Sequence, residues 1–275
     1  MKNFKKELFV ALILISLIFP NLSVSDEVKL QRGVPYGILN RVFQIDFGGK
    51  NGKGTCFVID VDRRQYIITA KHLVPKIKPT NTVKILINDN WNSLKVRLIF
   101  PKNEQTDIIA LAASQIIAPK MEIFVGDGDI TLGQDVYFLG FPYDLSTETK
   151  GTFPMKIAFI KKGILSAIDN RKETGHRLYI DGHNNHGFSG GPVIFANFYK
   201  KDRLQIASVI TGYRHQPIQV YEVEVKDEES KTGKEEHKII SYVKENTGII
   251  ISYSIGEILE SINKNPIGPM IPNEK

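Results

Sequence analysis

Short runs of β-branched and aromatic residues, each closed by Gly, Asn, Asp or Pro, recur along almost the whole chain. They fall at Ile38–Phe47, Thr55–Asp60, Gln65–Thr69, Val83–Ile87, Leu94–Phe100 and Ile108–Leu111. After a gap they resume at Asp135–Leu139, Lys156–Ile168, Arg177–Ile180, Pro192–Phe195, Leu204–Thr211 and Gly248–Ser252. Runs of this length and composition are strands, and about twelve of them, with almost no helical periodicity before the C-terminus, predict an all-β barrel or sandwich. The segment Ile116–Leu132 splits them into two sets of six. The expectation is two six-stranded antiparallel barrels with a C-terminal helix, and a cleft between them as the favoured place for a site.

That helix is read over Ser254–Lys264, where Ile255, Ile258, Leu259 and Ile262 share one face and Pro266 follows. Lys226–Lys238 is nearly all charged and reads as a solvated loop or hairpin tip. At the other end, Lys2, Lys5 and Lys6 precede the apolar Leu8–Phe19, Pro20 breaks the run, and Ser23-Val24-Ser25 supplies small residues, the pattern of an export signal. The apolar run is short against the about 20 residues a membrane span needs, an uncleaved anchor being the alternative. The expected organisation is therefore a leader (1–25), a first barrel (26–125), a second barrel with its helix (126–265) and a tail (266–275). An exported chain, periplasmic or extracellular and without stable membrane insertion once cleaved, would follow.

Hydrophobic content of 42% with 24% charged residues suits a globular core, and the formal charge of +6 is spread along the chain. No dense basic patch or nucleic-acid motif is visible, so no nucleic-acid partner is expected. Cys56 is the one cysteine. It rules out an internal disulfide and a cysteine-built metal site, and it reads as a small buried hydrophobe.

The stretch Asp181–Val193, DGHNNHGFSGGPV, fits neither a helix nor a strand interior. Its glycines suit a tight turn in which backbone N–H groups converge beside Ser189, a nucleophile next to an oxyanion site. A Gly-rich surface loop is the plain alternative. A serine nucleophile needs a base and a group to orient that base. His72 in YIITAKHLV and Asp107 in TDIIAL lie at strand ends in the first set, with Ser189 in the second, so opposite walls of a cleft would supply base and nucleophile.

These pieces, with GTCFVI (54–59), GFP (140–142), KKGILSAI (161–168) and TGIIISYSI (247–255), resemble a chymotrypsin-fold serine peptidase. The likeness is to the bacterial trypsin-like branch that includes heat-shock proteases and glutamyl endopeptidases, and it covers nearly the whole chain after the leader. The resemblance implies His72 as general base, Asp107 as its orienting carboxylate and Ser189 as nucleophile. It implies Gly187 and Ser189 as oxyanion donors, and Thr211, Gly212 and Tyr213 as the edge strand that pairs with a peptide. The Thr211 hydroxyl would support the acidic triad member.

Three departures stand out. Phe188 replaces the Asp or Asn common in relatives, so activity is not expected to await a cleavage that frees a new N-terminus. His183 occupies the usual floor of the P1 pocket, which argues against Lys or Arg specificity; His183 or His215 could instead favour an acidic P1 residue. Tyr213 replaces a small residue and would narrow the pocket. His183, His186 and His215 lack metal-ligand spacing, and neither metal nor organic cofactor is expected. The reading is an exported serine endopeptidase acting on protein or peptide, with esterase activity a weaker idea. A same-fold binding module, its cleft blocked by Phe188 or Tyr213, is the alternative. Nothing in the sequence specifies an oligomeric state.

Overall fold

The computed structural model describes residues 33–49, 52–75, 82–148, 156–200, 203–223 and 237–272. The expected leader and most of the charged 226–238 segment lie outside these residues. Residues from Val34 onward form one compact unit. Among the described residues no helix is long and apolar enough to cross a membrane.

The unit opens with a helical turn, α1 (Tyr36–Leu39), and six strands follow: β1 (Val42–Asp46), β2 (Lys53–Val61), β3 (Arg64–Ala70), β4 (Thr82–Ile87), β5 (Asn90–Ile99) and β6 (Ile108–Ala113). They close into a barrel in the order β1-β2-β3-β6-β5-β4. The hairpins β2–β3 and β4–β5 turn on Asp62-Arg63 and Asn88-Asp89, all with φ between 47° and 62°. Paired left-handed residues match the twist of two-residue hairpins, and Asn and Asp tolerate that region.

The second half contains β7 (Phe124–Val125), β8 (Asp135–Gly140), β9 (Thr147–Glu148), β10 (Lys156–Ile157), β11 (Phe159–Asp169), β12 (Arg177–Asp181), β13 (Pro192–Asn197), β14 (Arg203–Val223), β15 (His237–Ser254) and α2 (Gly256–Lys264). Its main sheet runs β13-β8-β11-β12-β15-β14-β7; pairing of β13 with β14 closes six of these strands into a second ring, and the short β7 adds to β14 in parallel outside it. The architecture is the all-β, two-barrel, chymotrypsin-like one with a terminal helix.

Several strands are buried on both faces, and alternation explains why they read as continuous apolar runs. In β2, Cys56 and Val58 fill the first barrel while Phe57 and Ile59 face a core shared with the second. Ile67, Ile109 and Leu111 follow the first pattern; Ile68, Ile108 and Ala110 follow the second. Leu139, Ile194, Val209 and helix residues Ile258 and Ile262 complete the shared core, whereas Val136, Phe138, Val193 and Phe195 fill the second barrel. The two barrels are thereby welded through a common apolar layer.

Three boundaries differ from the sequence expectation. Ile38–Phe47 is not one strand: Pro35 starts a helical turn, closed by Asn40 N–H donating to Tyr36 O at 2.8 Å, and the strand begins at Val42. Lys156–Ile168 divides at Ala158 into β10 and β11. The last two strands run far past Thr211 and begin well before Gly248; their outer parts are solvated on both faces and mix polar with exposed apolar residues, so no continuous apolar run marks them.

Candidate functional site

Strand register brings His72 and Asp107 together. Ala70 at the end of β3 lies opposite Ile108 at the start of β6, so the next residues on each strand are neighbours. Lys71 to Leu73 form a single 3-10 turn that lifts the imidazole off the strand. The Asp107 carboxylate then holds His72 twice: Oδ1 accepts the His72 backbone N–H at 2.8 Å, and Oδ2 lies 2.7 Å from Nδ1. A carboxylate there places the ring proton on Nδ1 and leaves Nε2 as an acceptor.

The Asp107 loop is gripped from the far end of the chain. Glu257 of α2 accepts from the Thr106 hydroxyl at 3.2 Å and from His176 N–H at 3.0 Å. The Tyr253 hydroxyl donates to Gln105 O at 3.2 Å. Thr106 is fully buried beside Gly175, where a Cβ would stand 2.7 Å from its hydroxyl.

The Ser189 turn docks on β2 and the end of β3 in the first barrel. Thr55 N–H donates to Ser189 O at 2.8 Å, and the Thr55 hydroxyl donates to Gly187 O at 2.6 Å. Gly190 (φ +87°) presses so closely that a Cβ would sit 2.0 Å from Thr55 O and 2.2 Å from the Thr69 hydroxyl. Gly54 is also crowded, since a Cβ there would stand 2.6 Å from the Leu73 side chain and 2.7 Å from Ser189 O. These close approaches explain the glycines on both sides of the contact.

Peptide orientation follows. His186 O accepts from Tyr143 N–H at 2.9 Å and Phe188 O accepts from Gly191 N–H at 2.8 Å. In a trans peptide the N–H points opposite to the carbonyl, so the Gly187 and Ser189 N–H groups are turned away from those bonds. Among the described residues neither has a hydrogen-bond partner. Gly187 holds φ +101°, and a Cβ there would lie 2.1 Å from Phe141 O. The arrangement can receive an anion beside Ser189. The Ser189 hydroxyl donates to Thr211 O at 3.5 Å; among the described residues it makes no hydrogen bond to His72.

Phe188 turns away from the cleft. Fully buried, it packs edge-on against Phe138 with centroids 5.4 Å apart, and a Cβ on Gly140 would collide with it. The ring is thus an aromatic plug in the core of the second barrel. Lys161 Nζ lies 5.3 Å from the Phe188 ring centre and donates to His183 O at 2.7 Å and Asn185 Oδ1 at 2.6 Å. Burial holds this ammonium below the ordinary lysine value. Burial likewise pushes the Cys56 thiol up, leaving it unreactive.

Of the expected substrate contacts, His183 is exposed and held by its carbonyl, while the next residue, Asn184, is buried. Asn184 Nδ2 donates to Gly212 O at 3.1 Å, and Asn184 O accepts from Asn246 Nδ2 at 2.7 Å, tying the turn to both long strands. The Thr211 hydroxyl donates to Ile251 O at 3.4 Å, pointing to β15 and not to Asp107. Tyr213 is half-buried, its ring 6.3 Å from that of His186, which lies 6.4 Å from Tyr143. His215 is exposed on β14. Thr55, Lys161 and Asn184 sit inside recognised motifs without a role of their own, and Glu257 lies outside them; their contacts are hidden from the sequence because the partners lie 22 to 151 residues away.

The trypsin-like peptidase domain model matches residues 54–197. Among solved structures, the active form of the Rv3671c protease from M. tuberculosis superposes with a TM-score of 0.51 at 17% identity, over 87% of this chain and 86% of that one. The HtrA-type protease AlgW with tripeptide gives 0.53 at 15% identity, over 84% of this chain and 62% of its own, so this chain spans less than two thirds of that protease. Among curated proteins none matches in sequence. The family match over more than half of the chain, on a fold shared with these proteases, makes this chain a member of the trypsin-like peptidase domain family with the fold of chymotrypsin-type serine peptidases.

Proposed function

We propose that this chain is an exported serine endopeptidase that hydrolyses peptide bonds through an acyl-enzyme. The observation that carries the reading is the double hold of Asp107 on His72, which fixes the tautomer a general base requires. Ser189 Oγ attacks the scissile carbonyl as His72 Nε2 takes its proton. The carbonyl oxygen, now an anion, receives the Gly187 and Ser189 N–H groups. His72 then gives the proton to the leaving amine, and water, activated by the same nitrogen, releases the acid and restores Ser189. On binding, the P1 N–H takes the Thr211 carbonyl and frees the serine hydroxyl to turn toward His72; catalytic hydrogen bonds are often long until substrate arrives.

The protein or peptide substrate pairs along Thr211–Tyr213, with His183 at the mouth of the P1 pocket. The buried position of Phe188 weighs against a blocked binding module. The cationic start and apolar run of residues 2–19 support export. Incubation with an unstructured protein, read by mass spectrometry, tests the activity: fragments from the wild type and none from Ser189→Ala are expected. Intact substrate with both proteins would refute it.

A further inference from the structure

Strand β14 does not stop at the candidate site. Up to Val209 it lies between β13 on one side and β7 and β15 on the other. Beyond Thr211 the β13 side is vacated, and from Tyr213 to Val220 β15 is its sole strand partner among the described residues. The vacated side is the one that carries Ser189, since Gly190 N–H donates to Ile210 O at 2.7 Å and Ser189 donates to Thr211 O. The open edge therefore continues the expected substrate strand, past a register shift in its pairing with β15 between Tyr213 and His215.

We infer that this edge, from Thr211 to about Gln219, is an extended docking strand for the N-terminal side of an unfolded polypeptide substrate. The inference deepens, and rests on, the peptidase reading. An antiparallel chain with P1 opposite Thr211 reaches P3 at Tyr213, P5 at His215, P7 at Pro217 and P9 at Gln219, about 3.3 Å per residue. Pro217, opposite Lys244, fixes which groups face outward. Proline sits in a ladder only where its nitrogen faces away from the partner strand, so Pro217 and, by alternation, Gln219 present their backbone groups to the open edge. Arg214 O faces the other way, accepting from the Thr247 hydroxyl at 3.0 Å.

The side chains define the occupant. Ile218 and Val243 are opposite each other and 42% and 55% exposed, and Ile239, Ile240 and Tyr242 are exposed as well. An isolated two-stranded ribbon with apolar faces is marginal in water, and a third strand with apolar side chains completes it. The class of substrate is an extended, apolar-rich segment, and not a short loop on a folded protein.

Fluorescent peptides that share the residues around the cleavage site, but extend four or ten residues to the N-terminal side, test this with the full-length Ser189→Ala chain by anisotropy. The longer peptide is expected to bind about tenfold more tightly or better. Gln219→Pro, which removes one backbone donor from the open edge, should lower the ratio of the two affinities. N-methylation along the longer peptide, which needs no protein variant, should weaken binding at alternate residues only. Equal affinity of the two peptides, or a length advantage indifferent to backbone methylation, overturns the inference. A wild-type chain that cuts nothing but still binds the long peptide more tightly would remove the peptidase reading and leave the docking strand standing.

Discussion

Gly190 shows how little freedom the site leaves a single residue. Its left-handed φ and the 2.0 Å approach of a would-be Cβ to Thr55 O act together, so Gly190→Ala must move the Ser189 turn off the first barrel. The expected cost is about 3 kcal/mol or more, from backbone strain plus the displaced contact. Urea denaturation checks it, and a midpoint equal to wild type would contradict the packing described. Phe188 illustrates the opposite case. Sequence patterning places it in the active turn, where its chemistry has no evident use. The structure supplies the reason: the turn needs an anchor into the second barrel, and an aromatic ring against Phe138 provides one where relatives place a polar residue.

Among the elements, α2 reads in sequence as packing alone, and Ile258 and Ile262 bear that out. Its first turn has a second task that periodicity could not show, because Glu257 meets Thr106 across 151 residues of chain. Glu257→Ala should release the Asp107 loop and lower kcat about tenfold, equivalent to about 1.4 kcal/mol of lost positioning, with KM little changed. Glu257→Gln should restore most of it, since its amide can still accept from His176 N–H and donate to the Thr106 oxygen. An equal loss in both variants would leave the residue a purely structural role. The β11–β12 turn carries a different signature. Arg171 beside Asp169 holds that carboxyl well below its usual range. A depressed folded value stabilises fully above the unfolded carboxylate value, near 3.9, and is lost as pH falls through the folded one. The stability advantage of wild type over Asp169→Asn should thus be complete at about pH 6 and shrink below about pH 4. Urea midpoints across that range provide the check; an advantage unchanged into acid would contradict the assignment.

For the molecule as a whole, the two-barrel plan is legible because strands buried on both faces, such as β2 and β6, announce themselves as unbroken apolar runs. His72 and Asp107 could be singled out because each sits at the end of such a run. What stays hidden is whatever depends on solvated backbone or distant side chains: the ribbon of β14 and β15, the Asn184 bridge and the grip of Glu257. Patterning detects burial, and these features work through hydrogen bonds at the surface or between remote segments. The proposed activity rests on Ser189 being activated by the His72–Asp107 couple. Its most direct test is the rate of covalent labelling by a fluorophosphonate, followed by intact-mass and peptide mapping. One adduct on Ser189 is predicted for the wild type, slowed about a hundredfold or more in His72→Ala and Asp107→Asn, in keeping with the usual size of general-base catalysis. Folded wild type that takes no label, or labels as fast without His72, would contradict it.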